Sequence, residues 1–188
     1  MPEPTDVVRC PWGDDPAMTA YHDTEWGRVL RGDRELFERM SLEAFQSGLS
    51  WAVILRKRDR FREAFAGFAP EVVAGFGDAD TERLLQDAGI VRNRRKIEAT
   101  INNARNLLEL DESFSELLWS FAPPPRPAPT SLAEVPATTP ESVAMATTLK
   151  KKGFRFVGPT TAYALMQATG MVNDHLADCF VRGESGIV

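Results

Sequence analysis

Apolar positions recur three and four residues apart over DRELFERMSLEAFQSG (33–48), SWAVILRKRDRFREAFAG (50–67) and RNRRKIEATINNARNLLEL (92–110), the spacing of amphipathic helices. Strand-like alternation is nearly absent, so the pattern predicts an all-α chain. Punctuation residues add boundaries: Asp80 caps a helix that Gly89 closes, and Thr139 followed by Pro140 opens one that Gly153 ends. Residues 149–170, LKKKGFRFVGPTTAYALMQATG, read as helix, two-glycine turn, helix, with Phe154, Phe156 and Val157 expected to anchor the turn inward. APPPRPAPTS (122–131) cannot be regular helix, because proline removes backbone donors and clashes with the preceding turn. It reads as an extended surface connector ahead of a C-terminal unit that begins near Thr139, and not as a domain boundary.

Composition narrows this to one compact helical domain. At 188 residues with 43% hydrophobic content, the chain is long enough for one well-buried core and short for two. The expected ordered core runs from about residue 9 to 182. The first residues, MPEPTDVVRC, fit neither a secretory signal nor a transit peptide, and no apolar run is long enough to span a bilayer. The expectation is a cytoplasmic monomer without membrane contact. A net charge of -5 argues against indiscriminate wrapping of nucleic acid. Yet 13 of the 22 Lys and Arg residues fall in RKRDRFR (56–62), RNRRK (92–96) and KKKGFR (150–155). Such clumping fits a directed polyanion-docking face, although solvated helix faces offset by nearby acids would give the same pattern.

The chain contains only two Cys and two His, and they fall as two pairs: Cys10 with His22, and His175 with Cys179. His175 and Cys179 are four apart, so on a helix they would share a face, while the first pair comes from a turn-rich loop. Two thiolates and two imidazoles make a closed tetrahedral zinc site with no position for a reactive water, hence a structural metal. A Cys10–Cys179 disulfide, or unrelated buried thiols and surface imidazoles, also fit the spacing. If both histidines are ligands, Ser–His and Cys–His hydrolase chemistry is removed.

Two further stretches carry chemistry. After the two-glycine turn, Gly158 would let backbone approach a ligand, and the next helix presents free N–H groups near Thr160 and Thr161, suited to a phosphate; an ordinary helix–helix turn has the same form. Trp12, Tyr21 and Trp26 crowd the loop of Cys10 and His22, beside Asp23 and Glu25. Trp51 follows LEAFQSGLS, where Glu43 sits in an apolar helical stretch with Leu42, Ala44, Phe45 and Leu49. A carboxylate there is costly unless paired or used, unless it simply faces solvent at the core's border.

With CPWG, AYHDTEWG, LEAFQSGLSW, LQDAGIVRNRRKI, LKKKGFRFVG and VNDHLADC together, the chain resembles the bacterial 3-methyladenine DNA glycosylase I family from Cys10 to about Cys179. The resemblance implies a helix-hairpin-helix glycosylase with zinc on Cys10, His22, His175 and Cys179, acting on double-stranded alkylated DNA and releasing free 3-methyladenine. It implies a flipped-base pocket of Glu43, Tyr21, Trp12, Trp26 and Trp51, with Glu43 catalytic. It also implies a wedge at Gly48–Leu49, and backbone contacts from Gly158, Thr160, Thr161, Lys151 and Lys152. Three positions depart from the family. Ala44 and Phe45 replace smaller or more polar residues, and Met18 stands where an aromatic is common, so a changed pocket wall or rim is expected.

Related superfamily members place an Asp after the hairpin helix in a V-D-x-H context; here the string is Val172-Asn173-Asp174-His175, so Asn173 holds that register and Asp174 is displaced by one. No Lys follows Gly158 as a Schiff-base nucleophile. The implied enzyme is therefore monofunctional, using water and leaving an abasic site. A zinc-stabilised DNA-binding relative without catalysis is the alternative that the three substitutions encourage.

Overall fold

The structure is a computed structural model that describes residues 7–12 and 15–184. The described residues form helices joined by turns, and no strand occurs among them. In chain order the helices are α1 (Pro16–Thr24), α2 (Asp33–Gln46), α3 (Trp51–Ala64), α4 (Pro70–Val73), α5 (Asp78–Leu85), α6 (Arg94–Leu108), α7 (Phe114–Trp119), α8 (Pro140–Lys151) and α9 (Pro159–Ala168), with short 3₁₀ turns at Ala66–Phe68, Leu132–Glu134 and Phe180–Gly183. None is long and apolar enough to cross a membrane.

Local sequence starts several of them. Asp15, Asn93, Ser113 and Thr139 each accept a first-turn backbone N–H with their side chains, satisfying donors the helix itself leaves open. The expected helix after Asp80 is real but displaced. Asp80 lies inside its first turn and accepts from the Gly77 N–H at 3.1 Å, and the helix stops at Leu85, four residues before Gly89.

At the centre, α2 packs against α3, α6, α7 and α9. Its Leu36, Phe37, Met40, Leu42 and Phe45 are buried, and Phe45, Phe61, Phe65 and Phe68 continue as a chain of ring contacts. This overturns the expectation for Ala44 and Phe45. Phe45 is fully buried, with its ring 4.7 Å from that of Phe61, and neither Ala44 nor Phe45 lines the cavity that Glu43 borders. The helical period explains it: Glu43 and Gln46, three apart, share one face, while Phe45 points away from it into the core.

The proline-rich stretch from Pro123 has no regular structure, as its composition requires. At the hairpin, α8 ends at Lys151 and α9 starts at Pro159; Phe154 and Val157 are buried between them. Phe156 is not an inward anchor. It is 41% exposed and takes a left-handed φ of 58°.

Candidate functional site

Two buried polar regions meet at the loop around α1. In the first, ligand atoms of Cys10, His22 and Cys179 lie within 4.8 Å of one another. The Cys179 Sγ is 3.5 Å from His22 Nε2, and the Leu176 N–H reaches Cys10 Sγ at 3.4 Å. His175 stands just outside that trio, its ring centroid 5.2 Å from that of His22. It is fully buried, and its Nε2 has no hydrogen-bond partner among the described residues. Both imidazoles are oriented alike: His22 Nδ1 is 2.7 Å from Asp23 Oδ1, and His175 Nδ1 is 3.0 Å from Asn173 Oδ1. An oxygen acceptor on Nδ1 places the proton there and leaves the Nε2 lone pair for a cation.

The electrostatics match a ligand set. Burial pushes the Cys10 thiol up to about 12 and His175 down to about 4, so the imidazole is neutral at physiological pH and the thiol is reluctant to ionise without a cation beside it. His175 and Cys179 do not share a helix face, since 173–179 is not helical. This segment brings Cys179 back toward His22, and Gly27, at φ 76°, admits the His175 ring; a Cβ there would lie 2.5 Å from its Cε1.

Beside this corner opens a cavity of about 300 Å³. Trp12 precedes α1, Met18 and Tyr21 come from α1, and Trp26 follows it. Helix α2 contributes Glu43 and Gln46, α3 contributes Trp51, and α9 contributes Ala164 and Gln167. Leu132, Val135 and Asp174 complete the lining. Trp12 packs edge-on against both Trp26 and His22, with centroids 5.0 and 5.1 Å away, so the cysteine–histidine corner braces one wall. Tyr21 and Trp51 face each other at 5.4 Å.

Glu43 is 6% exposed, and no donor is placed on its carboxylate among the described residues. Burial raises it to about 7 against the pull of the Arg39 guanidinium. Trp51 Nε1 is likewise buried without a partner. Arg39, which the sequence did not single out, donates to the Tyr21 hydroxyl at 2.6 Å and pairs with Glu25 at 3.4 Å; Arg58 grips the same Glu25 through two bonds of 2.6 and 2.8 Å. That network fixes Tyr21 and keeps a positive charge near Glu43.

The outer rim divides the basic clusters. Arg58, Arg60 and Arg62 are spent on Glu25, Asp87 and Glu38, so 56–62 is largely a helix face offset by acids, the second of the two readings its composition allowed. Lys96 is buried, its Nζ donating to the Phe45 and Ser47 carbonyls at 2.8 and 2.6 Å to close the end of α2. Just beyond, Gly48 takes φ 82° and Leu49 is 40% exposed. Arg92, Arg95, Lys150, Lys151 and the Arg155 side chain are exposed without acidic partners among the described residues, whereas Lys152 lies 3.4 Å from Glu112. Gly158 is exposed, and a Cβ there would meet nothing of the protein itself. Helix α9 has no side-chain cap, so its first N–H groups, around Thr160 and Thr161, stay available.

The model of the methyladenine glycosylase family matches residues 12–182. DNA-3-methyladenine glycosylase 1 of Escherichia coli (strain K12) is 46% identical over 179 residues, covering 92% of this chain and 96% of that protein. A crystal structure of 3-methyladenine DNA glycosylase I superposes with a TM-score of 0.90 at 47% identity, covering 92% of this chain and 98% of the other. A second, of a variant of such an enzyme in complex with 3-methyladenine, superposes with a TM-score of 0.88 at 34% identity, covering 93% and 97%. Matched over nearly its whole length in sequence and fold, the chain belongs to the methyladenine glycosylase family.

Proposed function

We propose that this protein is a monofunctional DNA glycosylase that excises 3-methyladenine from alkylated double-stranded DNA. The observation that carries the reading is the aromatic cavity holding a buried carboxylate, Glu43, on which no described residue places a donor. A flipped base supplies what is missing. Its exocyclic amine donates to Glu43, and its methylated, cationic ring stacks on Trp51 with a cation–π attraction of roughly 0.5–2 kcal/mol that normal adenine lacks. Trp12, Tyr21 and Trp26 form the remaining walls.

Methylation at N3 already makes the base a good leaving group. The C1′–N9 bond breaks with its electron pair moving to N9, which yields neutral 3-methyladenine. Water adds to C1′ of the sugar cation and loses a proton to solvent. Glu43 contributes orientation and a negative charge near the developing cation. The product is an abasic site in an uncut strand.

Leu49, lifted by Gly48, is the wedge that enters the base stack. The hairpin of α8 and α9, with Gly158, Thr160, Thr161, Lys151 and Lys152, holds the phosphate backbone in helix-hairpin-helix manner. Cys10, His22, His175 and Cys179 hold one structural zinc, whose chemistry is to tie the two ends of the chain together. Residues 9–182 act as one domain in a cytoplasmic monomer. A non-catalytic DNA-binding relative is the weaker reading, because Ala44 and Phe45 face the core and only Met18 alters the cavity.

Chromatography of bases released from methylated DNA tests the proposal, with 3-methylguanine and 7-methylguanine followed beside 3-methyladenine. Release of 3-methyladenine without strand cleavage is expected; absence of release would sink the glycosylase reading.

A further inference from the structure

The cavity has a second polar group whose orientation the protein fixes. Gln167 donates from Nε2 to Asp174 Oδ2 at 2.9 Å. Asp174 is 2% exposed, and its carboxylate also accepts from the Tyr163 hydroxyl at 2.5 Å and from the Arg126 guanidinium. Arg126 donates to the Tyr163 oxygen as well, at 2.7 Å, which turns that hydroxyl proton toward Asp174. A carboxylate held by a guanidinium and a hydroxyl has only lone pairs to offer, so it decides which end of the Gln167 amide faces it. Nε2 is committed to Asp174. Oε1 has no partner among the described residues, on a side chain that lines the same cavity as Glu43.

We propose that Gln167 is a specificity-determining residue of the base pocket, with Asp174 holding its Oε1 ready as a second acceptor for the exocyclic amine of a flipped purine. This rests on the base-pocket reading above. An adenine amine carries two hydrogens, and Glu43 and Gln167 supply two acceptors. A purine with a carbonyl at that edge, as in guanine, brings lone pairs against lone pairs and loses both bonds. Asp174, Tyr163 and Arg126 are positioning residues. The displaced register noted in the sequence acquires a physical sense: Asp174 reaches the cavity, while the Asn173 side chain accepts from the His175 ring.

Gln167→Met keeps length and helix propensity while removing the acceptor. Affinities for free 3-methyladenine and free 3-methylguanine, read by calorimetry, are compared with release of both bases from methylated DNA. The expected result is an affinity for 3-methyladenine weakened ~10-fold, with 3-methylguanine unchanged or tighter, so that selectivity narrows in both measurements. Asp174→Asn, which lets the amide turn over, should narrow it by a smaller factor. An unchanged selectivity ratio in Gln167→Met overturns the proposal. Should that variant fail to fold, judged by its thermal midpoint, Gln167→Leu is read by the same criterion. If wild-type protein releases no 3-methyladenine, the glycosylase reading fails, and the free-base affinity ratio still decides the role of Gln167.

Discussion

The cysteine–histidine corner and the aromatic cavity share Trp12 as a wall, and both bury polar atoms, yet they treat them in opposite ways. In the corner, every outward nitrogen is tied off: His22 Nδ1 on Asp23, His175 Nδ1 on Asn173. What remains is His22 Nε2, 3.5 Å from Cys179 Sγ, and His175 Nε2, which has no partner among the described residues. In the cavity, the atoms without partners among the described residues, on Glu43, Trp51 and Gln167, belong to side chains that line open space. Leaving a buried polar group unpaired costs roughly 1–3 kcal/mol, so each region is incomplete without something from outside the chain. The difference is permanence. A closed set of soft ligands suits an ion that stays, whereas an open aromatic slot suits a base that enters and leaves.

The largest expected effect tests the cavity side. Glu43→Gln keeps the shape and removes the charge, and excision should fall ~100-fold or more, while binding to an abasic duplex, which does not fill the slot, stays near wild type. Single-turnover release with a binding measurement separates the two. Unchanged turnover would take Glu43 out of the chemistry.

Next in size is Cys179→Ser, which attacks the corner and leaves the cavity lining unaltered. Metal content and thermal midpoint should drop together, the latter by on the order of 10 °C if ~3 kcal/mol is lost. Excision should weaken secondarily, because Trp12 leans on His22. A fully stable, metal-free variant would remove the zinc proposal and with it one half of the contrast.

Trp51→Ala belongs to the cavity again, at smaller scale. Losing a cation–π partner worth roughly 0.5–2 kcal/mol predicts a weakening of about 2- to 30-fold, seen in excision and in free-base affinity alike. Unlike Glu43→Gln it should weaken binding as much as rate.

Much of this contrast was legible in the chain itself. Helical periodicity placed α2, α3 and α6 within a few residues, because their apolar stripes face one core and need no tertiary information. Counting every Cys and His found the corner, and the AYHDTEWG and LEAFQSGLSW strings pointed to the aromatic residues and Glu43. Other features depend on distant partners and left little local signal. Phe156 looked like core from hydrophobicity alone, but the turn's geometry turns it outward. The 56–62 cluster left a docking face and an acid-offset helix face both open, because its acids, at Glu25, Glu38 and Asp87, are remote in sequence. Arg39 reads as one more helix-surface cation until the fold sets it on Tyr21. Gln167 and Asp174, seven apart across a turn, become a pair only when the chain folds back.

The mildest test varies pH alone. Burial holds Glu43 at about 7, well above the 4.5 of an ordinary Glu. For excision, the ionised form is the competent one. The kcat/KM, which reports the free enzyme, should rise about tenfold per pH unit below 7 and level off above it. The kcat should reach its plateau at lower pH, since a bound cationic base favours the carboxylate. Stability should move the other way. A carboxyl whose folded value is raised binds its proton more tightly than in the unfolded chain, so its contribution is greatest below about 4.5, declines as pH climbs to about 7, and is flat beyond. Glu43→Gln cannot ionise, so denaturant melts at pH 5 and pH 8 should show the wild type losing stability relative to the variant at the higher pH. The corner is common to both proteins, so whatever it contributes cancels from this difference. If the wild type and the variant share one pH–stability profile, the carboxylate is solvated, and the cavity is not the incomplete site that distinguishes it from the corner.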